Sequence, residues 1–180
     1  MKEISLHLLD VAKNSVTAGA AHIDLVLQED SDHLCNLSIR DDGCGMSAEF
    51  LAQVTDPFTT TRTTRKVGMG LPLLRMMAEQ TGGTLEIESE VGVGTVVTVR
   101  FHADHIDCPP LGDIPSTVAL LIQGAPEVEW TYRHTTPKGS FTLDTRELRA
   151  VLGPDVPLSE PDVTLWIREY LQEQEQELKE

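Results

Sequence analysis

The chain has 180 residues, 40% of them hydrophobic, and a formal net charge of -15 at pH 7. That length and content suffice for one buried core, or one core with a small appendage, and exclude a disordered chain. The acidity argues against a general binder of nucleic acid or anionic membrane, because phosphate backbones select basic surfaces, so any phosphate must be held locally.

No apolar run approaches the length a bilayer needs, and acidic Glu3 and Asp10 stand where a leader peptide would be basic. Cys35, Cys44 and Cys108 are odd in number and have no CxxC spacing, which suggests neither a disulfide framework nor a zinc site. The expectation is a cytoplasmic, reducing location with no membrane partner.

In chain order, Leu6, Leu9, Ala12 and Val16 recur at helical spacing and Gly19 stops the pattern. "HIDLVLQED" and "LCNLSIRDDG" alternate as two strands of a hairpin, and Ser47 with Glu49 opens a short helix in "SAEFLAQV". "TDPFTTTRTTRKV" has no period and reads as a loop. "GLPLLRMMAEQTGG" places Pro near a helix start and a Gly pair at its end, and "TLEIESE" and "TVVTVRF" flank a "VGVG" hairpin turn.

Three groups of polar and glycine residues stand out on that frame. Asp10 and Asn14 lie on one helical face with Lys13 beside them and His7 one turn earlier. A carboxylate and a carboxamide so placed can share a hydrated magnesium ion and an attacking water, although a solvent-facing stripe explains the pair equally well. In "IRDDGCGMS", Asp41, Gly43 and Gly45 follow directly on a strand, where a carboxylate can accept from an exocyclic amine and glycines admit a flat ligand; an ordinary Asp-Gly turn is the alternative. In "GMGLPLL", Gly68 and Gly70 open a helix whose free N–H groups suit a phosphate, a weak signal by itself.

The order of "LLDVAKNSVTAGA", "DDGCGM", "DPFTTTR", "GMGLPLL" and "GTVVTV" across residues 1 to 102 resembles the ATP-binding domain shared by gyrase, the large heat-shock chaperone, histidine kinases and mismatch-repair ATPases, often called the Bergerat fold. "PFTTTR" before "GMGL" is most similar to the histidine-kinase branch, and "NSVTAGA" with "HIDL" to the mismatch-repair and topoisomerase branch. The resemblance implies an α+β two-layer sandwich, a mixed and mainly antiparallel sheet with helices on one face, and ATP and Mg as ligands. It implies Asn14 as the magnesium ligand, with Lys13 nearby in the nucleotide site, and Asp10 at the position where hydrolytic members place a Glu as general base. Asp is one methylene shorter, and geometry decides such a role before pKa does. It further implies Asp41 as the adenine reader, Gly43, Gly45 and Met46 shaping the pocket, and Thr95 reaching the same adenine edge. Thr60, Thr61, Arg62, Arg65 and Lys66 would form the ATP lid, with Arg62 and Lys66 as the phosphate ligands there, and Gly68, Gly70 and Leu71 the phosphate-side turn. For His7, tuning Asp10 by a hydrogen bond competes with a plain structural role, and the structural role is the expectation.

Residues 103 to 115 read as a Pro- and Gly-punctuated connector. His102, Asp104, His105, Asp107 and Cys108 could be taken for a metal cluster, but the spacing matches no familiar pattern and a linker is expected. Residues 116 to 180 read as a small α+β C-terminal appendage: helix, strand pair, short helix, and a last helix that is apolar around Val163, Trp166, Ile167 and Tyr170 and ends in Glu and Gln. The connector "HIDCPPLGD" also resembles small ATP-binding proteins found with iron-hydrogenase gene clusters, which implies a redox-enzyme partner.

Histidine kinases carry a dimerisation helix pair with the acceptor His ahead of the ATP domain, and this chain begins at the Asn-bearing helix. The expectation is therefore ATP hydrolysis or γ-phosphoryl transfer to a partner protein, as in histidine kinases or anti-sigma serine kinases, with a homodimer as one assembly. The competing expectation is a nucleotide-gated binding module without turnover.

Overall fold

Buried and half-exposed residues alternate along four strands that are neighbours in one sheet, which fixes its inward face. Ile23, Leu25 and Leu27 of β1 (His22–Glu29), Cys35, Leu37 and Ile39 of β2 (Leu34–Asp41), and Val97, Val99 and Phe101 of β4 (Gly94–His102) point the same way as Trp130, Tyr132 and His134 of β5 (Glu129–Thr136). The opposite face carries Arg40, Arg100 and Arg133 and is open to solvent. These relationships come from a computed structural model, which describes residues 3–54 and 70–180.

The sheet has six strands in the order β3-β4-β2-β1-β5-β6, with β3 at Thr84–Glu90 and β6 at Gly139–Asp144. Every pairing is antiparallel except β1 with β5. The C-terminal strand pair thus continues the sheet of the first hundred residues, with Leu25 facing Tyr132 across the parallel pairing.

The helices cover the inward face in a row: α3 (Gly70–Gln80) beside α1 (Ile4–Thr17), α1 beside α4 (Ile114–Gly124), and α4 beside α6 (Pro161–Lys179). One hydrophobic cluster runs through all of them, joining Ile4 and Leu8 of α1 to Val118 and Ile122 of α4, Ile167 of α6 and Trp130 of β5. The Trp130 indole donates to the Ala125 carbonyl at 3.0 Å, which satisfies its one polar atom in that core. Short α2 (Ala48–Gln53) is capped by the Ser47 hydroxyl, which accepts from the Phe50 amide at 3.2 Å, and α5 (Thr145–Leu152) packs against β5.

The connector is tied to α1 rather than hanging free. The first N–H groups of α1 have no side-chain cap, and Ile4 and Ser5 donate instead to the carbonyls of Pro110 and Leu111, each at 2.9 Å. No group of three or more His, Cys, Asp or Glu among the described residues is placed to hold a metal ion, so the connector's His, Asp and Cys residues do not gather into a cluster. No described helix is long and apolar enough to cross a membrane.

Candidate nucleotide site

The last residue of β2 is the centre of the site. Asp41 is only 9% exposed, and an unpaired carboxylate there would be costly. Its Oδ2 accepts from the Ser15 hydroxyl at 2.6 Å and its Oδ1 from the Gly43 amide at 2.9 Å. Ser15 stands on the buried face of α1, so the helix that carries Asn14 also fixes the carboxylate.

Thr95, the second residue of β4, faces Asp41 in register across the β2–β4 pairing. Its hydroxyl lies 2.8 Å from that of Ser89, which donates to the Gly94 carbonyl at 3.0 Å and accepts from the Met46 amide at 2.8 Å. Ser89 has one proton and Gly94 takes it, so Thr95 is the donor of the hydroxyl pair and keeps its lone pairs for another partner.

Gly45 shows why a glycine is needed in the loop after β2. Its φ is +72°, and a Cβ there would lie 2.0 Å from the Glu90 carbonyl oxygen. The loop is pressed onto the β3–β4 turn, with Gly92 donating to the Cys44 carbonyl at 2.8 Å and Cys44 donating to the Ala18 carbonyl at 2.9 Å.

Asp41, Thr95, Asn14, Gly45, Met46 and Leu71 line one cavity of about 180 Å³, together with Ser15, Cys44, Phe50 and Val97. Its apolar walls and few convergent polar groups suit a flat heteroaromatic ligand. A wider hollow of about 480 Å³ spreads over the sheet's open side from Asp41 and Thr95 past His22, Asp24 and Arg40. The first is the better binding site, since helices α1 and α3 wall it and the second is a shallow part of the exposed face.

Asn14 lies at the wall of that cavity, and its buried Nδ2 has no hydrogen-bond partner among the described residues. Asp10, one turn earlier, sits at the start of α3: a Cβ on Gly70 would be 3.2 Å from the Asp10 Cβ and 3.9 Å from its Oδ2. The acid therefore abuts the start of α3 one turn from Asn14; Asn14 and Leu71 line the cavity, and Asp10 and Gly70 stand next to them without lining it. Lys13 points to solvent. His7 is buried, and burial pushes its pKa down to about 4, so the ring is neutral. It makes no hydrogen bond to Asp10, and its Nδ1 is unpartnered among the described residues, as a structural histidine of the inner face.

Thr60, Thr61, Arg62, Arg65, Lys66 and Gly68 lie outside the described residues. Sequence reasoning missed Ser15 and Ser89, the hydroxyls that hold Asp41 and Thr95. Ser15 had a signal, since it follows Asn14 on the helix and falls on the buried side of the apolar pattern. Ser89 had none, being one more polar residue of an edge strand.

The sequence profile of the family described as histidine kinase-, DNA gyrase B-, and HSP90-like ATPase matches residues 2–105. The chain is 31% identical over 102 residues to Sporulation kinase E of Bacillus subtilis, covering 57% of this chain and 13% of that protein. It is 30% identical over 106 residues to Sensor protein SrrB of Staphylococcus aureus, covering 56% and 18%. With Virulence sensor protein BvgS of Bordetella bronchiseptica it shares 27% over 136 residues, covering 71% and 11%. The chain therefore spans less than a fifth of the length of each of these relatives. Among solved structures, a crystal structure of the N-terminal domain of a DNA repair protein superposes with a TM-score of 0.56 at 14% identity, covering 86% of this chain and 58% of that one. That coverage extends the likeness of fold beyond residue 105 into the C-terminal strands and helices.

Proposed function

This chain belongs to the histidine kinase-, DNA gyrase B- and HSP90-like ATPases, and from that premise we propose that it binds Mg-ATP in the cavity between α1 and β2 and hydrolyses it or passes its γ-phosphate to a partner protein. The observation that carries the proposal is the buried Asp41 carboxylate, fixed by Ser15 and Gly43 beside the Thr95 hydroxyl on the cavity floor. A carboxylate with both oxygens already oriented accepts from the exocyclic amine of adenine, and Thr95 offers a lone pair at the same edge. Met46 and Leu71 close on the faces of the base.

The donor set at the other end fits magnesium. The Asn14 carboxamide oxygen and, one turn away, the Asp10 carboxylate are the hard oxygens such an ion takes, while the buried Asn14 nitrogen, without a partner among the described residues, is a donor suited to a phosphate oxygen. Asn14 would hold the ion, and its charge would neutralise the phosphate oxygens. Asp10 would orient the attacking water or acceptor hydroxyl and take its proton, while the α3 N-terminus from Gly70 and Leu71 faces the phosphates. Arg62 and Lys66 of the lid segment complete the proposed phosphate contacts.

A second reading is favoured by one feature: Asp10 is shorter than the Glu expected of a hydrolytic general base. On that reading ATP only orders a partner-binding surface, and a redox enzyme is the partner that the connector resemblance suggests. Calorimetric titration with a non-hydrolysable ATP analogue, with and without magnesium, tests the shared part of both readings; Asn14→Ala should abolish the magnesium-dependent gain. Incubation with γ-labelled ATP then separates them, since free phosphate or labelled partner means turnover. No binding under any condition would sink both.

A further inference from the structure

Helix α6 buries Val163, Ile167 and Leu171 against the core and turns a different chemistry outward. Trp166 and Tyr170, one turn apart, stack with ring centroids 5.2 Å apart and planes 6° from parallel. Trp166 is 50% exposed, whereas the other tryptophan, Trp130, is 1% exposed. At the helical repeat, Asp162, Glu169 and Glu173 fall on the same outward stripe as Trp166, and all three are exposed. No ion pair among the described residues engages any of them.

We propose that this outward face of α6 is a docking surface for an arginine- and lysine-rich segment of a partner protein. The exposed Trp166, stacked on a half-buried Tyr170 that packs against the core and flanked by carboxylates, offers a guanidinium both a π-face and an acceptor, and Trp and Tyr are residues that interfaces use as anchors. A second copy of the chain is a poor occupant, because a two-fold contact would bring Asp162, Glu169 and Glu173 against their own equivalents. Nucleic acid and anionic membrane are repelled by the same carboxylates, and the net charge of -15 steers cations toward the molecule. The surface lies at the far end of the helix row from α3, so it is independent of the nucleotide proposal.

The test is titration of the full chain with a synthetic arginine–alanine repeat peptide, followed by tryptophan fluorescence and by calorimetry, with a glutamate–alanine peptide as control. Saturable binding that moves the exposed tryptophan signal is expected. Trp166→Ala and the pair Glu169→Lys with Glu173→Lys should each weaken it by about tenfold or more. The pair Glu86→Lys with Glu88→Lys makes the same change of charge on exposed positions of β3 and should leave affinity within about twofold. All these positions are exposed, so the variants keep the fold. Equal weakening by both charge pairs would show diffuse attraction and overturn the proposal, as would no saturation, or concentration-dependent self-association through Trp166.

Discussion

Asp41 and Thr95 are direct partners across the β2–β4 pairing, and both side chains reach the same cavity. Each is held by a serine from elsewhere, Asp41 by Ser15 of α1 and Thr95 by Ser89 of β3. The sheet sets the spacing of the two polar groups, and the serines set their direction.

Asp41→Asn keeps the shape of that pair and removes the charge. The amide can still accept from one neighbour, but its nitrogen must then meet either the Ser15 hydroxyl or the Gly43 N–H, both of which donate in the native structure. Affinity for an adenine nucleotide should fall about 10- to 100-fold, the worth of one to two charge-assisted hydrogen bonds, as read by calorimetry. An unchanged affinity would move the adenine site away from Asp41.

Most of this frame was legible because its signals are local: alternation in β1, β2 and β4, the helical period of α1, and the glycines after Asp41 each specify their own element. Two features were not. The segment that forms β5 alternates in the same way whether it starts a new sheet or extends an old one, and its parallel pairing to β1 rests on contacts more than a hundred residues apart in sequence. The capping of α1 by Pro110 and Leu111 uses backbone carbonyls, which leave no trace in residue type. Ser89 belongs with these, since its importance comes from the turn folded over it.

Two glycines with similar backbones separate strain from crowding. Gly45 and Gly92 have φ of +72° and +81°, but a Cβ on Gly92 would meet nothing within 4 Å while one on Gly45 would strike the Glu90 carbonyl. Gly92→Ala should cost about 1 kcal/mol, the penalty of a left-handed conformation. Gly45→Ala should cost about 3 kcal/mol or more and weaken nucleotide binding, because the loop after Asp41 must lift off β3. Thermal melts of the two variants check the difference, and equal losses would contradict the close approach.

Stability should fall on both sides of neutrality through two buried histidines of opposite sign. His134 sits between Glu175 and Glu29, with Nδ1 at 2.6 Å and Nε2 at 2.7 Å. Burial opposes its charge, but the bonds to both carboxylates outweigh that and raise its pKa to about 9. Its contribution is therefore full below about 6.5, the unfolded value, and lost as pH rises through about 9. His7 is the reverse: with its pKa pushed down to about 4 by burial, its contribution is full above about 6.5 and lost as pH falls toward 4. Denaturant melts from pH 4 to 10 should show both limbs. His134→Gln should flatten the alkaline limb and lower stability by on the order of 3 kcal/mol, because Glu175 and Glu29 lose their shared cation. It should leave the acid limb intact.

Asp10 decides between turnover and gating. Its carboxylate stands beside Gly70 at the start of α3, where a γ-phosphate would lie, and Asn14 is one turn deeper on the same helix. If Asp10 takes the proton of the attacking group, Asp10→Asn should lower phosphate release or transfer by about 100-fold or more, while nucleotide affinity stays within about threefold. Asp10→Glu extends the same acid by one methylene without changing its charge. A rise in turnover for that variant would mean that the native acid is set back from the reacting oxygen and that the protein works slowly by design of its side-chain length. Equal phosphate release by wild type, Asp10→Asn and Asp10→Glu would remove Asp10 from the chemistry and leave the nucleotide as a switch for partner binding.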